Sequence, residues 1–311
     1  MSVAAVAPVP TPVRRSGLGK LIRRRERWGW AFVAPFLIVF AVFLIAPLIY
    51  AFDMSLYQKG LVGGERFTGL HNYVRVFTDP LFLQGLLRVA FYVLVMVPIQ
   101  IGLGTIIALV LDVLVTKLSR LSRLLIFLPY AVPAMIGALM WSFIYSPNFG
   151  PITQLFNALG LNAPNILAPN HIFAALVNVV TWQWVGYYMI IIYSALRAID
   201  PSLYEAALLD GAGGLRTAVY VKLPLIASAL IMCVVFSLIG TLQFYTEPVI
   251  LGSAAPSAIP PTYTPNMYAA SLAFNQGLFN YAATVSFSLG VIVFIGSYLF
   301  LFLTRKQNGL R

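Results

Sequence analysis

Glu205-Ala206-Ala207, then Asp210-Gly211-Ala212, then Val221-Lys222-Leu223-Pro224 place two carboxylates, a turn-forming glycine and a proline in one short polar stretch. No histidine, cysteine or paired acid stands beside them, so this is not catalytic material. What such residues can do is build a small capped helix for another protein to grip. Asp200-Pro201-Ser202 opens it: Asp200 can cap, Pro201 suits the first helical position, and Glu205 falls in the early turns, where the helix dipole favours a carboxylate. The spacing predicts a helix over Pro201 to Leu209, ended by Gly211 and Gly213-Gly214. The alternative is a plain solvated connector, since caps and glycines occur wherever helices end.

Other chemistry lacks its residues. His71 and His171 are the chain's two histidines and Cys233 its one cysteine, so neither an intrachain disulfide nor a His- or Cys-ligated metal site can be assembled. A polytopic membrane enzyme needs clustered His, Asp or Glu near one interface, and the 9 acidic residues are scattered. A proton-coupled secondary transporter needs intramembrane carboxylates or histidines and paired inverted repeats. Glu247 is the one candidate, read here as the only carboxylate deep within an apolar run. It is either a pathway or gating residue or an outer-rim acid bonded to local backbone. No G-x-x-x-x-G-K-[ST] phosphate loop exists; Gly17-Leu18-Gly19-Lys20 is too short.

The elements around these residues are dictated by composition. Of 311 residues 60% are hydrophobic and 9% charged, and the mean hydropathy is +0.88, whereas a soluble domain is roughly 25% charged. About 20 apolar residues cross the roughly 30 Å hydrocarbon layer. Six such spans are read: Trp30 to Phe52, Val89 to Leu114, Leu124 to Tyr145, Phe173 to Leu196, Leu223 to Leu251 and Tyr281 to Leu303. They must be helices, because lipid offers no partner to an open strand edge. The first is too long for a secretory signal core and reads as a retained, peripheral helix. Between the spans, Gln58 to Leu87, Ser146 to His171 and Gly252 to Asn280 read as outer segments, the first with short helices on the membrane surface.

Of the 20 Lys and Arg, all but Lys59, Arg66, Arg75 and Arg88 fall before the first span, in the loops after the second and fourth, or after the sixth. The positive-inside rule then puts both termini and the Glu205 segment in the cytoplasm. The net charge of +11 is a topology signal rather than a nucleic-acid footprint, and the Arg-rich tail meets anionic lipid headgroups. The expected chain is an all-α polytopic membrane protein: a basic tail over 1–27 and a transmembrane domain over 28–311, with a cytoplasmic loop over about 197–224.

Polar and aromatic groups inside apolar spans need a reason. The fourth span carries Trp182, Gln183, Trp184, Gly186, Tyr187 and Tyr188, the fifth Thr241, Gln243, Phe244, Tyr245, Thr246 and Glu247, and the third Tyr130. Rings with amides and hydroxyls suit a sugar, which stacks its C–H faces and hydrogen-bonds its hydroxyls. The competing explanation is the aromatic belt that membrane proteins carry regardless of substrate.

The pattern Glu205-Ala206-Ala207, Asp210-Gly211-Ala212, Val221 and Leu223-Pro224 resembles the EAA loop of binding-protein-dependent ABC importer permeases. Leu128-Pro129-Tyr130-Ala131-Val132-Pro133, Asn148-Phe149-Gly150 and Gly186-Tyr187 are similar to the maltose-type sugar permeases, and the resemblance runs from Trp28 to the C-terminus. Ala218 departs from the usual Phe, which is expected to loosen packing behind the docking helix, and Ala254-Ala255-Pro256 departs from Gly-Gly-Pro. The resemblance implies a type I ABC importer permease fold of six transmembrane helices. It implies a second homologous permease subunit, two ATPase subunits that hold ATP and Mg, and an extracytoplasmic solute-binding protein. The chain itself would bind no cofactor. Glu205, Ala206, Ala207, Asp210, Gly211 and Pro224 would form the ATPase-coupling segment. Matching positions puts sugar contacts at Tyr130, Ala134, Trp182, Val185, Gly186, Met189, Gly240, Thr241 and Phe244, with Gln183 beside them. A di- or oligosaccharide is the expected cargo; a glycerol-phosphate-type anion is the alternative, disfavoured because no Arg or Lys lies in the third to sixth spans. The purified chain alone is expected to hydrolyse no ATP. Turnover that survives removal of every co-purifying ATPase would contradict the absence of a phosphate loop.

Overall fold

The computed structural model describes residues 29–60, 64–113 and 117–304. The basic tail over 1–27 and the C-terminal Arg305, Lys306 and Arg311 lie outside the described residues. The chain falls into two compact units, Met1–Asp53 and Met54–Arg311. The described part of the first is most of helix α1, Gly29–Ser55, which carries a π-helical turn at Ala41–Ile45. It is apolar on every side, the composition of a membrane span.

The second unit opens with a small antiparallel hairpin, β1 Tyr57–Lys59 and β2 Glu65–Phe67, with Gln58 opposite Arg66. A six-residue helix, α2 His71–Val76, follows. Asn72 Nδ2 holds this segment by donating to the carbonyls of Ser55 and Tyr57 at 3.0 and 2.8 Å. The outer segment over Gln58 to Leu87 is therefore a hairpin and one short helix, and it ends sooner than expected, because α3 spans Pro80–Val113. With 34 residues at about 1.5 Å each, α3 is longer than the roughly 30 Å hydrocarbon layer is thick.

Two of the six expected spans are not single helices. The third is α4, Lys117–Ala131, and α5, Ala134–Ile144, bent by 96°. Pro133 adopts φ −54° and ψ 134° and disfavours a helical Val132 before it, so the helix stops between them. After α6, Pro151–Ala158, the long α7, Ile172–Arg197, and the short α8, Pro201–Leu209, the fifth expected span is broken twice. Its parts are α9 Gly214–Leu225 and α10 Ala227–Leu242, bent by 72°, then α11 Thr246–Ala254. Pro224 has no N–H for the carbonyl of Tyr220 and would crowd it; a π-helical turn, Ala218–Lys222, widens the backbone there. That turn begins at Ala218, the position where the expected loosening falls. α12, Pro265–Ala270, continues into a π-helical turn at Ser271–Asn275, and α13, Phe279–Thr304, closes the described chain. Among the described residues there are thus four continuous helices long enough to cross a membrane and two bent pairs.

α3 and α7 form the central packing, with Tyr92, Leu176 and Val180 in one core cluster and Leu111, Ile192 and Leu196 in another toward the α8 end. α13 packs on the start of α3 through Phe82, Tyr268, Leu272 and Val285. Asp79 anchors that corner. Its carboxylate accepts the hydroxyls of Tyr268 and Tyr281 at 2.7 and 2.8 Å and the N–H of Leu81 at 2.9 Å. Burial pushes this carboxyl up, but the two tyrosines and the backbone N–H groups of Leu81 and Phe82 outweigh it and hold it below the usual carboxylate range. A depressed folded-state value stabilises above the unfolded value near about 3.9 and is lost as pH falls through the folded one. Asp79→Asn should lower the midpoint of thermal unfolding in detergent by a few degrees at pH 7. The gap to the native protein should close in acid below about pH 4, measured by melting curves across pH.

Candidate functional site

The polar segment folds as its residues dictate. Asp200 sits at φ −61°, ψ 125° and its carboxylate accepts the Ser202 N–H at 2.9 Å, a bond that also holds its pKa below the ordinary value. α8 ends in a closed C-cap: the N–H of Ala212 reaches the carbonyl of Ala207 at 2.9 Å and that of Gly211 reaches Leu208 at 3.0 Å. Gly211 has φ +74°, the left-handed region that a side chain occupies only at a cost. Gly213 and Gly214 keep negative-φ conformations and simply begin α9. Glu205, Ala206, Leu208, Leu209 and Asp210 are exposed, with Leu209 at 89%. Exposed leucines beside carboxylates on a short rigid helix have the make-up of a protein-docking surface. Ala207 is buried and faces the body of the protein rather than that surface, and Pro224 lies on α9, after the π-helical turn.

Behind α8 lies a charged cluster that sequence reasoning passed over. Asp112, in the last turn of α3, is buried and its Oδ2 is 2.5 Å from Lys222 Nζ, while Arg197 Nη1 is 3.8 Å from Oδ1. Lys222 Nζ also lies 4.6 Å from the centre of the Tyr204 ring, and the Tyr204 hydroxyl donates to the Leu196 carbonyl at 3.2 Å. Burial, and then the charge of Asp112, push the Tyr204 phenol up. Glu247 is therefore not the only carboxylate within a span's apolar run; Asp112 stood in Leu109-Val110-Leu111-Asp112-Val113, inside the second expected span, and its lone charge was the missed signal.

A second site lies among α3, α7 and α10, where the α10–α11 break leaves a cavity of about 120 Å³. Gln100, Trp184, Tyr188, Ser237, Thr241, Phe244 and Glu247 are among its walls. Ser237 Oγ donates to Gln100 Oε1 at 2.7 Å, and Phe244 meets Tyr92 edge-on at 5.3 Å. The structure thus brings Thr241 and Phe244 of the expected pathway to this cavity, with Gly240 beside them. Tyr130 is one layer away, stacked on Tyr187 at 4.7 Å and edge-on to Trp184 at 5.4 Å. Trp182 lies elsewhere, edge-on to Trp141 at 5.7 Å. Gln183 is buried and donates to the Val132 carbonyl at 3.2 Å. Gly186 is a packing residue: a Cβ there would stand 2.1 Å from the Ile126 carbonyl oxygen, so only glycine lets α4 lie on α7. Gln100 was missed, although an amide in the apolar run Met96-Val97-Pro98-Ile99-Gln100-Ile101 was a readable signal. Among the described residues no group of three His, Cys, Asp or Glu could hold a metal ion.

Residues 100–308 match the family described as binding-protein-dependent transport system inner membrane component. The chain belongs to this family. It is a multi-pass inner membrane permease of a binding-protein-dependent ABC importer, a membrane component rather than an enzyme. The lactose transport system permease protein of Rhizobium radiobacter is 30% identical over 285 residues, 90% of this permease and 95% of that protein. The arabinooligosaccharides transport system permease protein of Bacillus subtilis is 26% identical, covering 99% and 98%. A crystal structure of a bacterial ABC transporter involved in import of the acidic polysaccharide alginate contains a chain that shares the fold, with a TM-score of 0.80 at 21% identity over 94% of this permease and 99% of that chain.

Gly211→Val puts a β-branched residue in the left-handed region at a cost of about 1–2 kcal/mol. The C-cap of α8 should open, with amide hydrogen exchange at Ala212 faster by about tenfold, while the amides of α7 keep their native rates.

Proposed function

We propose that the permease supplies one half of a translocation path for a neutral sugar, a di- or oligosaccharide, delivered by the extracytoplasmic binding protein. A second homologous permease subunit supplies the other half. Two ATPase subunits, which hold ATP and Mg, drive the cycle, and one of them grips α8 through Glu205, Ala206, Leu208, Leu209 and Asp210. Both termini and α8 then lie in the cytoplasm, as the distribution of basic residues requires.

The observation that carries the cargo class is the chemistry of the cavity walls. Amide, hydroxyl and aromatic groups from Gln100, Ser237, Thr241, Trp184 and Phe244 converge there without a lysine or arginine. This argues against a glycerol-phosphate-type cargo, which needs a cation to pair with. The relatives named for lactose and arabinooligosaccharides agree in class. At about 120 Å³ the cavity is well below the roughly 300–1,000 Å³ of a complete ligand site, as expected of a site whose second wall belongs to another subunit. Trp141 Nε1, Thr181 Oγ1 and Gln183 Oε1 are buried with no hydrogen-bond partner among the described residues. Orphan polar atoms are costly in this setting.

The test uses the reconstituted complex with its binding protein and a panel of lactose, maltose and arabino-oligosaccharides, with glycerol 3-phosphate as the anionic control. At least one sugar should stimulate ATP hydrolysis. Thr241→Val and Trp184→Ala should raise its half-saturating concentration by about tenfold, the worth of one good hydrogen bond or stacking contact, while Val291→Ala on α13 leaves it unchanged. Glu205→Lys should cut the ATPase that co-purifies with the permease. Stimulation by glycerol 3-phosphate alone would overturn the cargo class, and native ATPase content in Glu205→Lys would overturn the docking surface.

A further inference from the structure

We propose that the buried Asp112 carboxylate is the positioning group that carries motion of α8 into the membrane bundle, acting through Lys222, Arg197 and Tyr204. The inference rests on α8 being the surface that the ATPase grips.

α8 is a short helix whose outer face is free, so whatever pushes it must be transmitted by its few inward contacts. Ala207 supplies only a methyl group. Tyr204 supplies two anchors: its hydroxyl to the Leu196 carbonyl at the end of α7, and its ring beneath Lys222 Nζ. Lys222 in turn is paired with Asp112 at 2.5 Å, with side chains 11% and 5% exposed. Arg197, at the other end of the short connection into α8, reaches the second carboxylate oxygen at 3.8 Å. One carboxylate therefore joins the end of α3, the end of α7 and the π-helical turn of α9 to the helix that lies among them. α3 and α9 meet here across 110 residues of sequence.

The physical form of the link matters as much as its place. A dispersion contact forfeits much of its attraction when two surfaces part by about 1 Å. An ion pair shielded from water falls off only as the inverse of distance. The four-carbon stem of Lys222 lets its ammonium follow the carboxylate as the elements shift. The pair is thus a tether that stays engaged through a displacement, and removing one partner strands a buried charge. A purely structural ion pair of this kind could be replaced by neutral groups without functional loss, because buried pairs often add little net stability. A transmitting one could not.

The experiment places one spin label near the push and one far from it, at Ser202→Cys on α8 and Ser253→Cys on α11, in a Cys233→Ala background of the assembled complex. ATP with vanadate is the trigger. In the native pairing both labels should shift. In Asp112→Asn and Lys222→Met the shift at position 202 should stay within about twofold of native, while that at 253 falls to a tenth or less. If a single variant does not assemble, the neutral pair Asp112→Asn with Lys222→Met leaves no stranded charge, and it too should respond at 202 and not at 253. A full response at 253 in the neutral pair, or equal loss at both labels in every variant, overturns the proposal. A label at 202 that ignores ATP in the native complex overturns the docking reading instead, so the two failures are distinguishable.

Discussion

In hydrocarbon a backbone carbonyl or N–H without a partner costs several kcal/mol, yet among its described residues this permease interrupts its helices three times within apolar stretches. Each interruption is stabilised by something specific. At the α4–α5 bend the freed Val132 carbonyl accepts Gln183 Nε2 from α7, which makes Gln183 a structural clasp. At the α9–α10 bend, just after Pro224, the Ile226 N–H still reaches the Lys222 carbonyl at 3.1 Å and the Ile226 carbonyl accepts the Leu230 N–H at 3.0 Å. At the α10–α11 break, Phe244 turns inward onto Tyr92 and leaves the cavity beside it. The breaks exclude a simple bundle of straight rods, and the cavity exists because of one of them.

The long α3 is the mast to which these broken pieces are tied by polar contacts. Near its N-terminal end Asp79 gathers Tyr268 and Tyr281; further along, Tyr92 bonds Tyr263 at 2.8 Å and Gln100 bonds Ser237; at the last turn Asp112 holds Lys222. Every one of these joins residues more than 100 positions apart in the chain. Apolar side chains gain little by leaving lipid for one another, so hydrogen bonds and close packing set which helices meet. Gly186 provides the close packing at the crossing of α4 and α7.

Much of this was legible in the residues. α8 was readable to its ends, because Asp200-Pro201 and Gly211 act through their own backbone neighbours, and the cap bonds are all local. Four continuous spans followed from apolar length alone. The sixfold count hid the bends, since Pro133 and Pro224 mark a possible break without stating its angle: Pro98 and Pro129 sit inside helices that continue. Thr241 and Phe244 were found at the cavity, whereas Trp182 and Gly186, on the same helix as Trp184, turned out to face other neighbours.

Composition and short-range pattern therefore determined that the chain lives in a bilayer, which segments are helical, and where a capped helix stands in water, because each follows from residues within a few turns of one another. Only the tertiary structure decided which polar residue meets which. Asp112 and Lys222 are each a lone charge in the sequence. They become a pair because α3, α7 and α9 converge at one point, and no local rule encodes the meeting of residues 110 positions apart.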